Sequence, residues 1–430
     1  MTPTGAQLSQ SARQTQSGHP HYSQAHVLGS NGAGNDAPAL VCAGLGKRYG
    51  GVQAVDGLDF SVATGEILAL VGPSGCGKTT ALRLIAGFEQ PDSGTITLRG
   101  QVVGQAGKGL PPEKRRVGMV FQEGALFPHL NVEQNIAYGL SRSSQRSDVI
   151  DQVLELVGLT GLKHRMPYEL SGGQQQRVAL GRALAPNPEI LLLDEPFSNL
   201  DPKLREQVRR DVVSILRDGH ITTVFVTHDQ EEALFIGDII AVMNHGRVEQ
   251  SGPPEEIFHQ PATRFVARFI GMVDFLPAWY QEGQLTTEVG SVDWPAVWSA
   301  SQEHSIASDP GHSIPEYIEP SRNGTNGSSA STGIESPDHE LEVMVRPDCL
   351  DCFQVGAGHV DEHASNRHGV VIEREFRGSF FLYRVALPSG HTVRCLLPHT
   401  AEFPIGAEVE VSLREGHKLR PFRDQQALEH

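Results

Sequence analysis

Hydrophobic positions between residues 40 and about 271 alternate between short apolar runs and longer stretches with helical spacing. Residues 67–71, 190–193 and 222–226 are apolar runs of strand length, whereas residues 79–86 and 148–157 have the spacing of helices. Strands that alternate with helices are typical of a mostly parallel sheet with crossover helices. The pattern therefore predicts an α/β domain over residues 40–273.

The pattern changes after residue 273, where helical periodicity fades and short alternating stretches appear, as expected of a small β domain over residues 274–430. The stretches lie at residues 341–345, 369–372, 380–387, 391–396 and 407–413. Residues 300–340 contain many Ser, Glu, Pro, Gly and Asn and few apolar residues, which predicts a flexible insertion. Residues 1–39 lack the apolar core of a secretory signal and predict a disordered tail.

Charge and composition narrow the class of function. The 430 residues include 51 acidic and 35 basic side chains, a formal net charge of -16, which argues against a nucleic-acid binder. No apolar run approaches the roughly 18 residues that span a bilayer. The 5 cysteines favour a reducing compartment over a disulfide framework. We therefore expect a cytoplasmic protein that does not itself cross a membrane.

Residues 72–79 match the phosphate-loop pattern G-x-x-x-x-G-K-[ST] and lie between a predicted strand and a predicted helix. Backbone N–H groups of such a loop surround phosphates, Lys78 is expected to reach the β- and γ-phosphates, and Thr79 to bind Mg²⁺. The pattern arises by chance roughly once in a hundred chains of this length, so an ordinary glycine-rich turn is a weak alternative. The predicted ATP contacts here are Gly72, Pro73, Ser74, Gly75, Cys76, Gly77, Lys78, Thr79 and Thr80.

The apolar run 190–193 ends in two carboxylates, Asp194 and Glu195. Asp194 is a candidate ligand of the same Mg²⁺, and Glu195 is a candidate base for the attacking water. Apolar strands that end in Asp-Glu are common at sheet edges, so this pair alone would carry little weight. Together with the phosphate loop it predicts an ATPase.

Residues 170–177, Leu-Ser-Gly-Gly-Gln-Gln-Gln-Arg, form a small-residue turn that opens another predicted helix. The segment resembles the signature of ABC ATPases and lies in that family's order, between the phosphate loop and the acidic strand. The resemblance implies a homodimer, in which the signature of one subunit closes on the ATP held by the other subunit. A helix N-terminus can serve as such an anion site across two chains. The implied contacts are Ser171, Gly172, Gly173 and Gln174.

Other positions carry over from the same resemblance. Gln122 resembles the glutamine that senses Mg²⁺ and the attacking water, so it is a candidate catalytic and metal-binding residue. Asp201 resembles the loop that crosses the dimer interface, His228 the histidine at the γ-phosphate, and Tyr49 the aromatic that stacks on adenine. Each has a plain structural explanation when taken alone, and the occurrence of all of them in order favours the functional one. Gly124 departs from the family, whose importers usually have an aromatic there.

Residues 344–347 and 376–378 resemble the small barrel appended to ATPases of ABC importers. The resemblance thus implies a phosphate-loop ABC ATPase domain with a helical subdomain, followed by an OB-like all-β domain. It also implies two membrane permease subunits and a periplasmic or extracellular substrate-binding protein as partners. The expected location is the cytoplasmic face of the inner membrane.

The transported substrate follows less directly from the sequence. Residues 87–94, 111–116 and 271–277 most resemble ferric-ion importers, with polyamine importers as the runner-up and sulfate, molybdate and sugar importers behind. A soluble ABC ATPase of DNA maintenance or ribosomes is a further alternative, but such proteins usually have a coiled-coil insertion, a second ATPase domain or a basic surface. Cys349 and Cys352 form a C-x-x-C, yet a tetrahedral metal site needs more than two ligands, so ordinary cysteines are favoured over a sensor.

Overall fold

The computed structural model describes residues 38–122, 125–141, 145–281, 283–293, 341–355, 368–414, 416–417 and 419–428. The predicted insertion at 300–340 and Gly124 lie outside the described residues, as does the predicted tail apart from its last two residues.

The strands of the N-terminal domain form two sheets. The strands are β1 Leu40–Tyr49, β2 Val52–Val62, β3 Ile67–Val71, β4 Ser93–Leu98, β5 Gln101–Gln105, β6 Lys108–Gly109, β7 Val117–Val120, β8 Ile190–Asp194, β9 Thr223–Thr227, β10 Ile239–Asn244 and β11 Arg247–Gly252. One sheet, in the order β2-β1-β4-β5-β6, is antiparallel. The other, in the order β11-β10-β3-β9-β8-β7, is parallel except for β11. The predicted parallel sheet is confirmed, whereas the antiparallel sheet was not predicted.

Most helices pack around the parallel sheet, and the helices in the middle of the sequence form a group of their own. They are α1 Lys78–Ala86, α2 Val132–Ile136, α3 Arg146–Leu156, α4 Gly172–Leu184, α5 Pro202–Asp218, α6 Gln230–Ile236, α7 Pro254–His259 and α8 Arg264–Phe269. In the α2–α4 group, a Cβ at Gly181 would lie 3.1 Å from Val153 Cγ1 and 3.4 Å from Ile136 Cδ1, so α4 packs closely on its neighbours. This group matches the expected helical subdomain.

The register of the parallel strands sets where their loops begin. Val71 pairs with Thr227, Asp194 with Val226, and Val120 with Leu193. Strands β3, β8 and β9 are buried almost throughout, which explains their continuous apolar runs in the sequence. The loops after β3, β7, β8 and β9 therefore leave the same edge of one sheet.

The C-terminal domain consists of two antiparallel sheets around a separate hydrophobic core. Its strands are β12 Asp274–Gln281, β13 Gln284–Thr287, β14 Gly290–Asp293, β15 Leu341–Val345, β16 Leu350–Gln354, β17 His368–Arg377, β18 Phe380–Ala386, β19 Thr392–Pro398, β20 Glu408–Leu413, β21 Arg420–Arg423 and β22 Gln426–Ala427. The sheets have the orders β14-β13-β12-β15-β21-β22 and β16-β20-β17-β18-β19. The predicted β domain is confirmed, with one stretch too short, since 369–372 is part of the longer β17.

Contacts join the end of the chain to the N-terminal domain. Arg264 N donates to Gln425 O at 2.9 Å, and Ala427 N donates to Ala262 O at 2.8 Å. The guanidinium of Arg346 donates to Phe258 O at 2.8 Å and lies 3.9 Å from the centre of the Phe258 ring. Helix α8 ends at Phe269 and strand β12 begins at Asp274. Within the described residues, no helix is long and apolar enough to cross a membrane.

Arg115 is a buried cation that closes the C-terminal end of α1. Its Nη1 donates to Leu84 O at 2.6 Å and to Ile85 O at 2.9 Å, and its Nε donates to Leu110 O at 2.7 Å. Only 2% of the residue is exposed. The last carbonyl groups of a helix have no partner within the helix, and a cation there also interacts favourably with the helix dipole. Arg115 thus fixes the end of the helix that follows the phosphate loop.

We predict that Arg115→Met lowers the free energy of unfolding of the N-terminal domain by about 3 kcal/mol, because buried carbonyl groups lose a charged donor. Urea unfolding followed by helical circular dichroism would measure the change, because the helices α1–α8 all lie in the N-terminal domain. Arg116→Met is the matched control, since its side chain is exposed and pairs with Glu189 at the surface, and its cost should stay below about 1 kcal/mol. Equal losses in the two variants would contradict the role given to Arg115.

Candidate nucleotide site

The phosphate loop turns sharply between β3 and α1. Gly75 and Gly77 have φ values of 82° and 107°, in the left-handed region that favours glycine. A Cβ at Gly77 would also collide with Ala54 O. No side chain caps the N-terminus of α1. The loop therefore presents an uncapped helix N-terminus, which is a favourable site for phosphate groups.

Lys78 lies at the start of α1 and is buried by its own loop. Its Nζ donates to Gly72 O at 2.7 Å and to Pro73 O at 3.1 Å, and lies 3.8 Å from Cys76 Sγ. Burial raises the pKa of the Cys76 thiol and outweighs the opposite effect of Lys78. The ammonium group is thus held inside the turn that the phosphates of a nucleotide would enter.

Two of the predicted Mg²⁺ ligands lie next to each other. Thr79 Oγ1 donates to Asp194 Oδ1 at 3.5 Å. Burial, followed by the charge of Glu195, raises the pKa of Asp194, so a cation here would relieve an unfavourable concentration of negative charge. Mg²⁺ prefers oxygen ligands and takes most of them from water and substrate phosphates. The hydroxyl and the carboxylate fit such an ion.

Glu195 and His228 meet at the ends of β8 and β9. The His228 Nδ1 lies 3.0 Å from Glu195 Oε2, and the Glu195 N–H donates to Val226 O at 3.0 Å. Glu195 has a φ of 45°, a conformation that costs about 1–3 kcal/mol for most residues and is common at active sites. The backbone thus directs this carboxylate towards His228 instead of continuing the strand.

A polar cavity of about 40 Å³ lies behind this pair. Its lining residues are Glu195, Ser198, Arg205, Thr227, His228, Asp229 and Glu232. Of these, only Glu195 and His228 were predicted site residues, and Ser198, Arg205, Thr227, Asp229 and Glu232 were not. The sequence offered one signal, since Asp229 and Glu232 have the spacing of a helix N-cap and its third residue. Reading that pattern as a cap gives no reason to connect it with the site.

The remaining predicted residues lie in the surrounding loops. Gln122 is exposed in a turn after β7, and its carbonyl oxygen accepts a hydrogen bond from Asn199 Nδ2 at 3.2 Å. Asp201 caps α5, with its Oδ1 accepting from Leu204 N at 3.1 Å. Tyr49 ends β1 with 41% of its surface exposed. Each side chain or loop is thus available at the surface for the contacts that the resemblance implies.

The signature segment has a clear local structure. Ser171 caps α4 by accepting from Gln174 N at 3.3 Å, and Gln174 Oε1 accepts from Ser171 N at 2.9 Å. A Cβ at Gly173 would lie 2.5 Å from Val208 Cγ2 of α5, so glycine is also needed for helix packing. Among the described residues, no hydrogen bond joins residues 171–174 to the phosphate loop of the same chain.

Comparison with known protein families agrees with this architecture. The model of the family described as "ABC transporter" matches residues 55–198, and that of the "TOBE domain" matches residues 343–419. The fold and the site define a phosphate-loop ATPase of the ABC class with an OB-like C-terminal domain.

Three curated relatives match this chain over most of their own length. The sulfate/thiosulfate import ATP-binding protein CysA of Synechococcus elongatus is 50% identical over 281 residues, 64% of this chain and 78% of the relative. The spermidine/putrescine import ATP-binding protein PotA of Pseudomonas aeruginosa is 39% identical over 89% of this chain and 99% of the relative. The Fe(3+) ions import ATP-binding protein FbpC of Pseudomonas fluorescens is 42% identical over 74% and 94%.

The chain belongs to the family of ATP-binding subunits of ABC importers. Hydrolysis of ATP coupled to transport is the activity of this family, and its members bind ATP with Mg²⁺. The relatives are named for three different substrates, so membership of the family leaves the substrate open.

We predict that Gly77→Ala lowers the affinity for ATP at least about tenfold, because a side chain at left-handed φ costs about 1–2 kcal/mol before the collision with Ala54 O is counted. Titration with a fluorescent ATP analogue would measure the loss. Gly57→Ala is the matched control, because Gly57 also has a positive φ, of 63°, but has nothing within 4 Å of the position of a Cβ. Undiminished ATP binding by Gly77→Ala would show that this loop conformation is not needed.

Proposed function

We propose that two copies of this chain close on two Mg-ATP molecules, and that each γ-phosphate is attacked by a water held by Glu195, Gln122 and His228. The observation that carries this proposal is the 3.0 Å contact between Glu195 Oε2 and His228 Nδ1 at the sheet edge that also bears the phosphate loop. A carboxylate acceptor can polarise water, while the imidazole orients the carboxylate. Lys78 and the N-terminus of α1 hold the phosphates and offset their charge.

The proposed dimer rests on the separation of two half-sites in one chain. Each chain has one phosphate loop and one signature segment at the start of α4, where first-turn N–H groups can bind an anion. Closure would bring the exposed Ser171 of one subunit to the γ-phosphate held by its partner. Asp201, which begins α5 beside this segment, would line the interface, and Tyr49 would stack on adenine.

We further propose that the chain acts at the cytoplasmic face of the inner membrane, with two permease subunits and a substrate-binding protein outside. Closure and reopening of the ATPase dimer would drive the permease between its two access states. The importer relatives support this assignment. It also accounts for the second domain, which a soluble ATPase of DNA maintenance or ribosomes would not need.

We propose iron(III) as the transported substrate. The support is the resemblance of residues 87–94, 111–116 and 271–277 to ferric-ion importers, together with the relative from Pseudomonas fluorescens. Polyamines are the second candidate, because the PotA relative is similar over 89% of this chain. Sulfate is the third, on the 50% identity with CysA over the 281 residues that they share. The ATPase site itself makes no contact with transported substrate, so the substrate must be identified through its partners.

The dimer can be tested in solution with a slowed variant. We expect Glu195→Gln to reduce hydrolysis by about 10²–10⁴-fold, the usual contribution of a general base, and to elute as a dimer with Mg-ATP. Adding Ser171→Arg to this background should keep the protein monomeric, because a long cation replaces the cap of α4. Ser214→Arg, on the exposed face of α5, is the matched control and should leave the dimer intact. A monomer in all Glu195→Gln samples, measured by light scattering, would refute ATP-driven dimerisation.

The partners and the substrate can be tested with the same trap. Glu195→Gln purified by affinity from membranes with Mg-ATP should retain a permease with several membrane spans, which mass spectrometry would identify. The binding protein encoded with that permease is then titrated with Fe³⁺, spermidine and sulfate, and we expect binding of Fe³⁺. Lys78→Ala, which should not close on ATP, is the control for non-specific capture.

Each other outcome of this experiment excludes part of the proposal. Binding of spermidine or sulfate in place of Fe³⁺ would reject iron and keep import. Recovery of soluble or ribosomal proteins alone would reject the transport assignment for this chain.

A further inference from the structure

Glu232 is a buried carboxylate on the wall of the cavity behind Glu195 and His228. It lies in the first turn of α6, with 4% of its surface exposed. Its Oε2 accepts a hydrogen bond from Thr227 Oγ1 at 2.6 Å. Burial raises the pKa of Glu232, and the Thr227 hydrogen bond opposes this shift. Burying a carboxylate costs free energy unless the group is hydrogen-bonded or paired, so the burial of Glu232 calls for a structural explanation.

The hydrogen bonds around Glu232 fix the backbone on both sides of His228. Thr227 Oγ1, which donates to Glu232, also accepts from Asp229 N at 3.0 Å. Asp229 Oδ1 in turn accepts from the N–H groups of Glu231 and Glu232 at 2.9 and 3.3 Å. We call residues 227–229 the histidine loop. The loop is thus tied to α6, and its position determines where the His228 ring meets Glu195.

Arg205 faces the same cavity from the first turns of α5. Its Nε donates to Phe197 O at 3.2 Å and its Nη2 donates to Leu200 O at 2.9 Å. The Arg205 N–H also donates to Asp201 O at 2.8 Å. Arg205 therefore holds residues 197–201, the segment that leads from the acidic strand to Asp201. Its charge and that of Arg209 act on the Glu232 carboxylate.

We propose that Glu232 is a positioning residue for ATP hydrolysis, which holds the histidine loop through Thr227 and faces Arg205 of the neighbouring segment across the cavity. In this arrangement, one buried carboxylate, Glu232, helps to position both segments that flank Glu195, the histidine loop and residues 197–201. His228 is aligned with Glu195 only while the Thr227–Glu232 hydrogen bond is made. The inference rests on the proposed roles of Glu195 and His228.

Steady-state kinetics of the full-length chain test this role. We expect Glu232→Ala and Thr227→Val each to lower kcat for MgATP roughly ten- to a hundredfold, the scale of small misplacements at a reacting centre, with KM within about twofold. Glu232→Gln should recover most of the loss, because its amide oxygen can still accept from Thr227. The double variant Thr227→Val with Glu232→Ala should lose much less than the product of the two single losses, because both substitutions remove the Thr227–Glu232 hydrogen bond. Glu231→Ala, an exposed neighbour on the same helix turn, is the control and should keep wild-type kcat.

The outcomes separate this inference from the proposed function. Independent losses that multiply in the double variant, an unchanged kcat, or a loss of ATP binding in step with a lower melting temperature would each overturn the positioning role. Should Glu232→Ala fail to fold, Thr227→Val and Glu232→Gln decide by the same criteria. An inactive wild-type chain would overturn the proposed hydrolysis and this inference together, whereas an active wild type with fully active Glu232 variants would overturn this inference alone.

Discussion

The structure of the site depends on the register of parallel strands in one buried sheet. Because β3, β9, β8 and β7 are adjacent in this order and each ends within one residue of its neighbour, the loops that follow them leave one edge. In open α/β sheets, ligands bind outside the carboxyl ends of the strands. The phosphate loop, His228, the Asp194–Glu195 pair and Gln122 are far apart in the sequence, and this register places them at the same edge of the sheet. A slip of one residue in β8 would turn its buried side chains to the opposite face and move both carboxylates.

How far the sequence predicts the fold depends on where each element is buried. The strands β3, β8 and β9 are buried on both faces and appear as continuous apolar runs, so they could be predicted to within a residue. The antiparallel sheet escaped prediction, because β1 and β2 are half-exposed and their pairing contains irregular register shifts. In β17, the positions after Val371 are exposed, so the apolar pattern in the sequence indicated only the first residues of the strand. Burial on both faces leaves a signal in the sequence, and pairing between distant half-exposed strands does not.

The site was predicted through motifs, and the residues that support it were not. Lys78, Asp194 and Glu195 belong to patterns with a chemical reason, whereas Glu232 is one acidic residue among several in the first turn of α6 until folding buries it beside Thr227. The C-x-x-C illustrates the opposite case. Cys352 is buried in the core of the C-terminal domain, where it contacts Cys395 of another strand, and the described residues contain no cluster of three or more side chains that could hold a metal ion. This packing favours the interpretation of ordinary cysteines.

Besides the covalent connection, apolar and polar contacts join the two domains. After the core strands of the C-terminal domain, β21 and β22 return to α8, where Phe422 packs against Ala267 and Val273. Arg346 reaches back to carbonyl groups of residues 258 and 272, so a cation of one domain satisfies backbone acceptors of the other. Displacing the second domain as a body would break these polar contacts and expose a buried aromatic side chain at once. The C-terminal domain is therefore bound to the end of the ATPase domain at α7 and α8, on elements that follow β11 and lie outside the loops that carry the chemistry.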